Sequence, residues 1–271
     1  MPELPEVETM VRQLQKNICG KKVTKTEVYD TTVVDSKLKG LSSVKIIDVW
    51  RRAKYIVMEL DDGQFILTHL GMTGHFHFRD KIGDKRPPHN NYEKYIVSKF
   101  LFSDGSFLTH NSIRKLGRMR LANQKQLQET LSKLGAEPLD KKFTLQCFDE
   151  LLRKKSRANI KTALMDQRVI AGVGNIYAQE ALYHAGISPL RKAGSLSAGE
   201  KKSLYSELRR VLLEAIKHRG TTVDNYSNLE GSGGFQDYLA VYQKERCVKN
   251  HSLKKIIVGG RGTTYCPKCQ R

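Results

Sequence analysis

The first apolar residues of the chain recur at helical spacing. They are Val7, Val11, Leu14 and Ile18. Because acidic residues stand at the start of this stripe and Gly20 follows it, the pattern predicts an amphipathic helix that begins at Pro5 and packs one face inward.

Between Lys22 and about Leu121 the pattern changes to short β-rich runs separated by turn pairs. Two examples are the runs 55–60 and 64–70 around Asp62-Gly63, and the runs 95–102 and 106–109 around Asp104-Gly105. Repeated hairpins of this kind predict an antiparallel β-sandwich. Residues 83–91 contain adjacent prolines and adjacent asparagines, which predict a long exposed loop between strands.

Helical signals replace the strand signals after residues 135–138. Ser197 and Glu200 have the spacing of a capping box in front of a long apolar stripe, made by Leu204, Leu208, Val211, Leu212 and Ile216. Four of the five residues at 230–234 are glycine or serine and end this region, and a basic tail follows. We therefore predict an α+β multidomain chain, divided into residues 1–135, 140–225 and 236–271.

The charge of the chain indicates a class of partner. Lys and Arg number 47 against 28 Asp and Glu, a formal net charge of +19. The excess is uneven, with 25 basic and 19 acidic residues at 1–150 but 22 and 9 at 151–271. A field of this sign favours a polyanion, because neutralised phosphates release counterions. Charge alone leaves open nucleic acid, a ribosome-associated role and a well-solvated surface.

Neither a membrane span nor a targeting segment is predicted. No apolar run approaches the roughly 20 residues that cross a bilayer. The first ten residues carry three glutamates and no basic residue, which is the opposite of a targeting peptide. With 271 residues, 39% hydrophobic and 28% charged, the chain is expected to be a soluble cytosolic protein of about two domains.

Three of the five cysteines lie in the last 25 residues. Cys266 and Cys269 have the spacing of a zinc knuckle, and Cys247 lies 19 residues upstream. A second knuckle needs cysteine at position 250, where the chain has Asn250, so His251 is the candidate fourth ligand. We predict one structural Zn²⁺ held by these three cysteines and His251. Reduced cysteines in a packed hairpin, and a redox or disulfide role, remain alternatives.

Gly172 and Gly174 precede a predicted helix at Ile176. Glycine permits a close backbone approach, and the free N–H groups of a helix start suit an anion such as a DNA phosphate. No Walker lysine follows and no dinucleotide fingerprint precedes this turn, so a nucleotide cofactor is not predicted.

The N-terminal residues offer a different chemistry. Removal of Met1 is expected before a residue as small as Pro2, and it exposes a secondary amine that is partly unprotonated at neutral pH. Such an amine can attack a sugar C1′ and form an iminium, while the carboxyl of Glu3 can move the proton that ring opening requires. Taken alone, these residues are more simply an ordinary helix start with favourable acids.

Three segments together resemble the formamidopyrimidine-DNA glycosylases, bacterial repair enzymes that remove oxidised purines. They are residues 1–8 (MPELPEVE), 172–177 (GVGNIY) and 260–270 (GRGTTYCPKCQ). The three stand at the start, middle and end of the chain in the family's order. The resemblance implies an N-terminal β-sandwich with a leading helix, a helix-two-turns-helix domain and a C-terminal zinc-finger hairpin. It also implies a monomer that binds damaged double-stranded DNA between its lobes.

The same resemblance implies roles for individual residues. Pro2 is similar to the family's nucleophile, and Glu3 to the acid/base that protonates the deoxyribose ring oxygen. Lys54 is similar to the lysine that assists near the lesion phosphates. Asn175 and Arg261 resemble the family's phosphate-gripping pair, and we count Arg261 with the catalytic residues.

Extrusion of a nucleotide from the duplex leaves a void that the protein must fill. By resemblance, Met72, Arg114 and Leu116 fill it, and Arg114 donates to the estranged base. His89 is a further DNA-binding candidate. The family usually has phenylalanine where this chain has Leu116, which gives up aromatic stacking.

Three other positions depart from the family pattern. Ser112 replaces a common aspartate, which weakens the support of a neighbouring arginine. Asp224 replaces a basic residue at the start of the lesion-recognition loop, residues 221–235, and Asn250 replaces a zinc cysteine. Glu180 matches a family acid, although a structural role in its helix is equally open.

We therefore expect a bifunctional DNA glycosylase and abasic-site lyase for 8-oxoguanine and formamidopyrimidines, acting by β,δ-elimination in the bacterial cytoplasm beside the nucleoid. An alternative is an endonuclease VIII-type enzyme for oxidised pyrimidines, which Met72 and Arg114 oppose and Leu116 and Asp224 favour. A second alternative is a non-catalytic DNA-binding relative, which the intact N-terminal pair opposes. A general RNA-binding or ribosome-associated protein explains the charge but not the N-terminus.

Overall fold

The computed structural model describes residues 2–80, 92–222, 229 and 231–271. The described chain divides into two compact units. Unit 1 comprises Met1–Ser132 with His218–Gly234, and unit 2 comprises Lys133–Lys217 with Phe235–Arg271. The predicted boundaries of three functional domains stay a prediction.

Unit 1 begins with helix α1, Leu4–Ile18. Pro5 stands in its first turn, where a missing N–H is tolerated. The Glu6 carboxylate accepts a hydrogen bond from the backbone N–H of Glu3 at 2.8 Å, which satisfies a donor at the helix start. The predicted apolar stripe is buried, and the chain turns at Gly20, whose φ of 84° suits glycine. The predicted leading helix is confirmed.

Eight strands form the sheet of unit 1. They are β1 Lys22–Val28, β2 Val44–Arg52, β3 Tyr55–Leu60, β4 Phe65–His69, β5 Gly74–Arg79, β6 Ile96–Phe102, β7 Phe107–Ser112 and β8 Arg118–Ala122. Their order is β5-β7-β6-β1-β2-β3-β4-β8, and all neighbours are antiparallel. The hairpins predicted around the two Asp-Gly pairs are the connections β3–β4 and β6–β7.

The sheet folds back on itself to form the predicted sandwich. Strands β6 and β8 are far apart in the strand order, yet Ser98 Oγ of β6 lies 3.7 Å from Met119 Sδ of β8. Only two residue pairs, Lys22↔Lys45 and Val23↔Val44, join β1 to β2, so the sheet can bend sharply there. Apolar residues from α1 and from both ends of the sheet share one buried cluster. The sandwich is therefore one continuous strand order with a single core.

A helix that the sequence did not predict, α2 at Gln124–Leu131, follows β8. The side chain of Asn123 accepts from the N–H of Gln126, and the Gln126 side chain accepts from the N–H of Asn123, both at 3.0 Å. Leu127 packs against the outer face of the sheet beside Phe65. The capping signal was present, but eight residues carry too few apolar positions for a periodicity.

Unit 2 contains helices and a two-stranded hairpin. They are α3 Leu145–Lys154, α4 Ile160–Met165, α5 Asn175–His184, α6 Ala198–Lys217, β9 Lys254–Val258 and β10 Arg261–Tyr265. Ser197 caps α6 as predicted: Ser197 Oγ accepts from the N–H of Glu200 at 3.2 Å, and the Glu200 carboxylate accepts from the N–H of Ser197 at 2.7 Å. Within the described ranges, no helix has both the length and the apolarity needed to cross a bilayer.

Two histidines are fully buried in β5 and β7 of unit 1. Burial lowers the pKa of His75 to about 4 and that of His110 to about 3, and the nearby His75 also lowers the pKa of His110. The His110 ring lies 5.1 Å from the Phe76 ring. Neither ring nitrogen of His110 has a hydrogen-bond partner among the described residues. His110 is therefore a neutral buried ring that lies against Phe76 and near His75.

We expect His110→Phe to stabilise the protein by about 1 kcal/mol at pH 7.5, because two buried ring nitrogens without hydrogen-bond partners among the described residues are removed. At pH 5 the gain should be about 2 kcal/mol larger. Unfolded histidine binds a proton near pH 6.5 while native His110 stays neutral down to about pH 3, so stability falls as the pH falls between these values. Urea unfolding at both pH values measures the effect. An equal pH dependence in variant and wild type would contradict it.

Candidate functional site

The N-terminal candidates lie at the start of α1. Pro2 and Glu3 precede the first helical residue, and both are buried, with Glu3 only 2% exposed. The Glu6 carboxylate binds the backbone on two sides, accepting from the N–H of Glu3 at 2.8 Å and from the N–H of Thr221 at 2.7 Å. A Cβ on Gly220 would lie 2.9 Å from the Glu6 side chain. One carboxylate therefore binds the backbone of Glu3 and that of Thr221, the first residue of the predicted lesion-recognition loop.

Lys54 stands in the turn between β2 and β3 and is only 5% exposed. The preceding Ala53 has a φ of 54°, and its carbonyl accepts from the Arg51 guanidinium at 3.0 Å. Arg51 also pairs with Glu8 of α1 at 2.8 Å. The turn that carries Lys54 is thereby tied to the helix that follows Pro2 and Glu3.

His69, at the end of β4, is a neutral neighbour of Lys54. Burial, and then the positive charge of Lys54, lower the pKa of His69 to about 4. Its Nδ1 accepts from the N–H of Gly71 at 3.2 Å, and its ring lies edge-on to Tyr55 with centroids 5.1 Å apart. The imidazole of His69 is therefore neutral at pH 7 and adds no positive charge beside Lys54.

Two adjoining loops carry the residues predicted to fill the void, Met72, Arg114 and Leu116. A Cβ on Gly71 of the β4–β5 loop would lie 2.6 Å from the backbone nitrogen of Gly117 in the β7–β8 loop. The N–H of Arg114 donates to Thr73 Oγ1 at 2.9 Å. Met72 is half-buried, whereas Arg114 and Leu116 are exposed. The fold thus brings the three side chains onto one pair of loops.

Ser112 departs from the family pattern and directly precedes the β7–β8 loop. Ser112 is buried at the end of β7, and its hydroxyl has no hydrogen-bond partner among the described residues. A serine there supplies no charge to hold Arg114. His89 and Asp224 lie outside the described residues, as do residues 223–228 and 230 of the predicted lesion-recognition loop.

Asn175 and Arg261 lie close together in unit 2. Asn175 is the first residue of α5 and Arg261 is the first residue of β10. The Asn175 side-chain amide donates to the carbonyl of Gly262 at 3.1 Å, and Arg261 is exposed. Gly172, just before the helix, has a φ of 87° that a side chain rarely permits. The start of α5 and the Asn175 amide therefore lie beside the backbone residue that follows Arg261, and helix N–H groups, an amide and a guanidinium are all groups that bind phosphate.

Glu180 has a structural role in unit 2. It is buried, and its carboxylate accepts from the backbone N–H groups of Ala240, Val241 and Tyr242 at 2.7, 3.0 and 2.8 Å. Burial raises the pKa of Glu180, and these three hydrogen bonds act in the opposite direction. The helix-role alternative for Glu180 is the one that its contacts favour.

The four predicted metal ligands are Cys247, His251, Cys266 and Cys269. Their ligand atoms all lie within 4.8 Å of one another. His251 Nδ1 is 3.2 Å from Cys269 Sγ and 3.7 Å from Cys266 Sγ. These two distances from Nδ1 to Sγ are close to the edge of roughly 3.3–3.8 Å expected for a tetrahedron with bonds of about 2.0–2.3 Å. The donor set therefore fits a zinc ion.

The backbone around Cys247 also suits a metal knuckle. Burial opposes ionisation of this thiol, but hydrogen bonds from the backbone N–H of His251 and from the Tyr183 hydroxyl outweigh it and lower the pKa of Cys247 to about 7. A thiolate is the form that binds metal. Asn250 has a φ of 61°, which asparagine tolerates, so it serves the turn while His251 supplies the fourth ligand atom.

Sequence reasoning missed two buried residues that hold the hairpin. Lys161 of α4 is fully buried, and its Nζ donates to Thr263 Oγ1 at 2.6 Å. Gln179 of α5 binds β10 through its side-chain amide. Gln179 could have been found from its position one helical turn after Asn175, which puts both side chains on the same face of the helix. The sequence around Lys161 carries no comparable signal.

Two protein-family models match the chain. The Formamidopyrimidine-DNA glycosylase N-terminal domain matches residues 1–119, and the Formamidopyrimidine-DNA glycosylase H2TH domain matches residues 134–227. A formamidopyrimidine-DNA glycosylase of Lactobacillus helveticus is 39% identical, with 100% of this chain and 99% of that protein aligned. One of Shouchella clausii is 37% identical with the same coverage.

Solved structures are similar over the same length. The MutM (Fpg) protein of Thermus thermophilus gives a TM-score of 0.87 at 34% identity, covering 99% of this chain and 98% of that one. Lactococcus lactis Fpg with abasic-site DNA gives 0.89 at 33% identity, covering 99% of each chain. A point mutant of the Lactococcus lactis protein with Fapy-dG DNA gives 0.89 at 34% identity, covering 100% of each.

Proposed function

The chain belongs to the formamidopyrimidine-DNA glycosylase family, and from this premise we propose that it excises oxidised purines from duplex DNA and cleaves the resulting abasic site. Similarity to Fpg complexes with abasic-site and Fapy-dG DNA supports damaged DNA as the substrate. The purine preference and the lyase step are proposed from individual residues of this chain.

The observation that carries the proposal is the adjacency of Pro2 and Glu3 in a buried segment at the start of α1. A binding protein needs neither a secondary amine nor a carboxylic acid at this point, whereas a lyase uses both. α-Amines titrate near pH ~8, so a usable fraction of Pro2 is unprotonated at neutral pH once Met1 is removed.

The reaction follows from these two groups. The Pro2 nitrogen attacks C1′ of the damaged nucleotide as the bond from C1′ to the base breaks, and the proton that the amine loses neutralises the leaving base. Glu3 donates a proton to the ring oxygen, the sugar opens, and the nitrogen lone pair completes an iminium. Loss of the C2′ proton expels the 3′ phosphate, and loss of the C4′ proton then expels the 5′ phosphate. Hydrolysis of the iminium frees Pro2 and leaves a one-nucleotide gap.

Three cationic or amide side chains hold the phosphates in this proposal. Lys54 acts beside the lesion, where the neutral His69 does not compete for anions. Asn175 and Arg261 grip one phosphate from unit 2, supported by their shared neighbour Gly262. Phosphate contacts of this kind position the duplex without reading its sequence.

Extrusion of the damaged nucleotide requires a replacement in the stack. Met72 and Leu116 supply apolar bulk for that void, and Arg114 donates to the estranged base. The contact between their two loops supports a joint action. His89 is assigned to DNA binding on the family resemblance alone.

One structural Zn²⁺ fits the donor set of Cys247, His251, Cys266 and Cys269. When bound, zinc supplies folding energy to the hairpin and takes no part in the chemistry.

In this assignment residues 1–135 carry the reaction, while residues 140–225 and 236–271 hold the DNA. The protein is proposed to act as a monomer in the bacterial cytoplasm beside the nucleoid.

Borohydride trapping tests the proposal. The protein, shown by mass spectrometry to begin at Pro2, is incubated with duplexes carrying one 8-oxoguanine, one oxidised pyrimidine, one abasic site or no damage. We expect an adduct on Pro2 with the 8-oxoguanine and abasic duplexes and none with undamaged DNA. An adduct with the oxidised pyrimidine but not with 8-oxoguanine would indicate an endonuclease VIII-type enzyme. No adduct with the abasic duplex would indicate a non-catalytic DNA-binding relative.

A further inference from the structure

Gln179 is a buried side chain that the reaction above does not use. It lies one turn after Asn175 on α5 and is 2% exposed. Its side-chain nitrogen donates to the carbonyls of Asn175 at 2.8 Å and Gly262 at 3.4 Å, and its oxygen accepts from the N–H of Thr264 at 2.6 Å. One carboxamide thus joins the start of α5 to two alternate residues of β10.

The contact resembles the edge of another strand. β10 pairs with β9 in a two-stranded sheet, so its second edge has no neighbouring strand in the part of the chain that the structure describes. Backbone groups on such an edge need other partners when water is excluded. Gln179 supplies one donor and one acceptor, at Gly262 and Thr264. A carboxylate there accepts only, and a thioether side chain has no donor.

The junction adjoins the predicted phosphate site. Gly262, which follows Arg261 directly, receives hydrogen bonds from both Asn175 and Gln179 on the same carbonyl. At the residue between Gly262 and Thr264, Lys161 donates to Thr263 Oγ1 at 2.6 Å, and that hydroxyl donates to the carbonyl of Arg261 at 3.0 Å. Displacement of β10 along α5 would therefore separate Arg261 from Asn175.

We propose that Gln179 is a positioning residue that holds β10 against α5 so that Asn175 and Arg261 grip the same DNA phosphate. Its burial keeps Gln179 itself from the DNA. The inference rests on the proposed function only for the identity of the ligand, a DNA phosphate.

The test measures affinity for a duplex with a tetrahydrofuran abasic analogue, which is bound without being cleaved, over a range of salt concentrations. Gln179→Met keeps the side-chain length and removes the amide. We expect binding to weaken about tenfold and the slope of log K against log salt to fall by about 1, the loss of one phosphate contact. Combined with Asn175→Ala, Gln179→Met should add little further, since both remove the same contact. Gln146→Met, at an exposed glutamine of α3, is the matched control and should leave affinity and slope unchanged.

Several results would overturn the inference. An unchanged slope in Gln179→Met, whether or not its melting temperature or zinc content falls, would make the residue purely structural. Should that variant fail to fold, Gln179→Asn decides, because it keeps a neutral amide but is one methylene too short to reach both Gly262 and Thr264; a wild-type slope there overturns the proposal. Failure of the wild type to form a borohydride adduct would overturn the proposed chemistry alone, because the slope is measured without cleavage.

Discussion

A Gly-Ser extension in front of Pro2 is expected to abolish borohydride trapping and to lower the rate of 8-oxoguanine release by about three orders of magnitude or more. The extension turns the secondary amine into an amide, whose lone pair is delocalised and not nucleophilic. The surrounding residues keep their chemistry. Single-turnover base release and adduct formation on the same duplex measure the loss.

Cleavage with a protease that leaves Pro2 as the first residue is the control, and it should restore both activities.

Glu3→Gln separates the role of the Pro2 amine from that of the Glu3 carboxyl, because it keeps the amine and removes the acid. That variant should lose about 100-fold or more in base release while still binding the abasic analogue. A full-strength adduct from the extended protein would place the nucleophile elsewhere, and mass spectrometry of the adduct would locate it.

Cys266→Ser is expected to release the zinc ion and to disorder the hairpin formed by β9 and β10. Cys266 is the fully buried ligand of the metal cluster, and zinc binding contributes about 10–16 kcal/mol of apparent folding energy in small finger peptides. Arg261 lies on this hairpin, so affinity for the abasic analogue should fall about 100-fold. Metal analysis, thermal unfolding and DNA binding measure the three effects.

Cys147→Ser is the matched control, because Cys147 is a free cysteine of α3 outside the metal cluster. It should keep one zinc per chain and wild-type DNA affinity.

His251→Ala tests the fourth ligand and should lose most of the metal. Unchanged zinc content in His251→Ala would remove histidine from the ligand set, and unchanged content in Cys266→Ser would refute the zinc site itself.

Local signals were enough to predict much of the fold. The stripe of α1, the Asp-Gly turns and the capping box at Ser197 each lie within a few residues of the structure they specify. Such features depend on nearest neighbours along the chain and on a regular period. The short helix α2 was not predicted, because its single buried leucine produces no helical periodicity of apolar residues.

Long-range contacts were not predictable from the residues. The approach of Gly71 to Gly117, the backbone contacts of Glu180 and the amide of Gln179 all join positions distant in sequence. The ligand spacing predicted the metal cluster, which the fold brings together. Chemistry alone favoured a plain helix start at Pro2 and Glu3, so the family resemblance carried those roles, which stay predictions.

The close approach of Gly71 and Gly117 has a consequence for engineering. A Cβ added to Gly71 would lie only 2.6 Å from the backbone nitrogen of Gly117. Neither loop can therefore change its course without the other. Replacing one loop alone with the corresponding loop of a relative would therefore create a steric mismatch. A successful graft has to exchange residues 69–74 and 112–118 together, with both segments taken from the same relative.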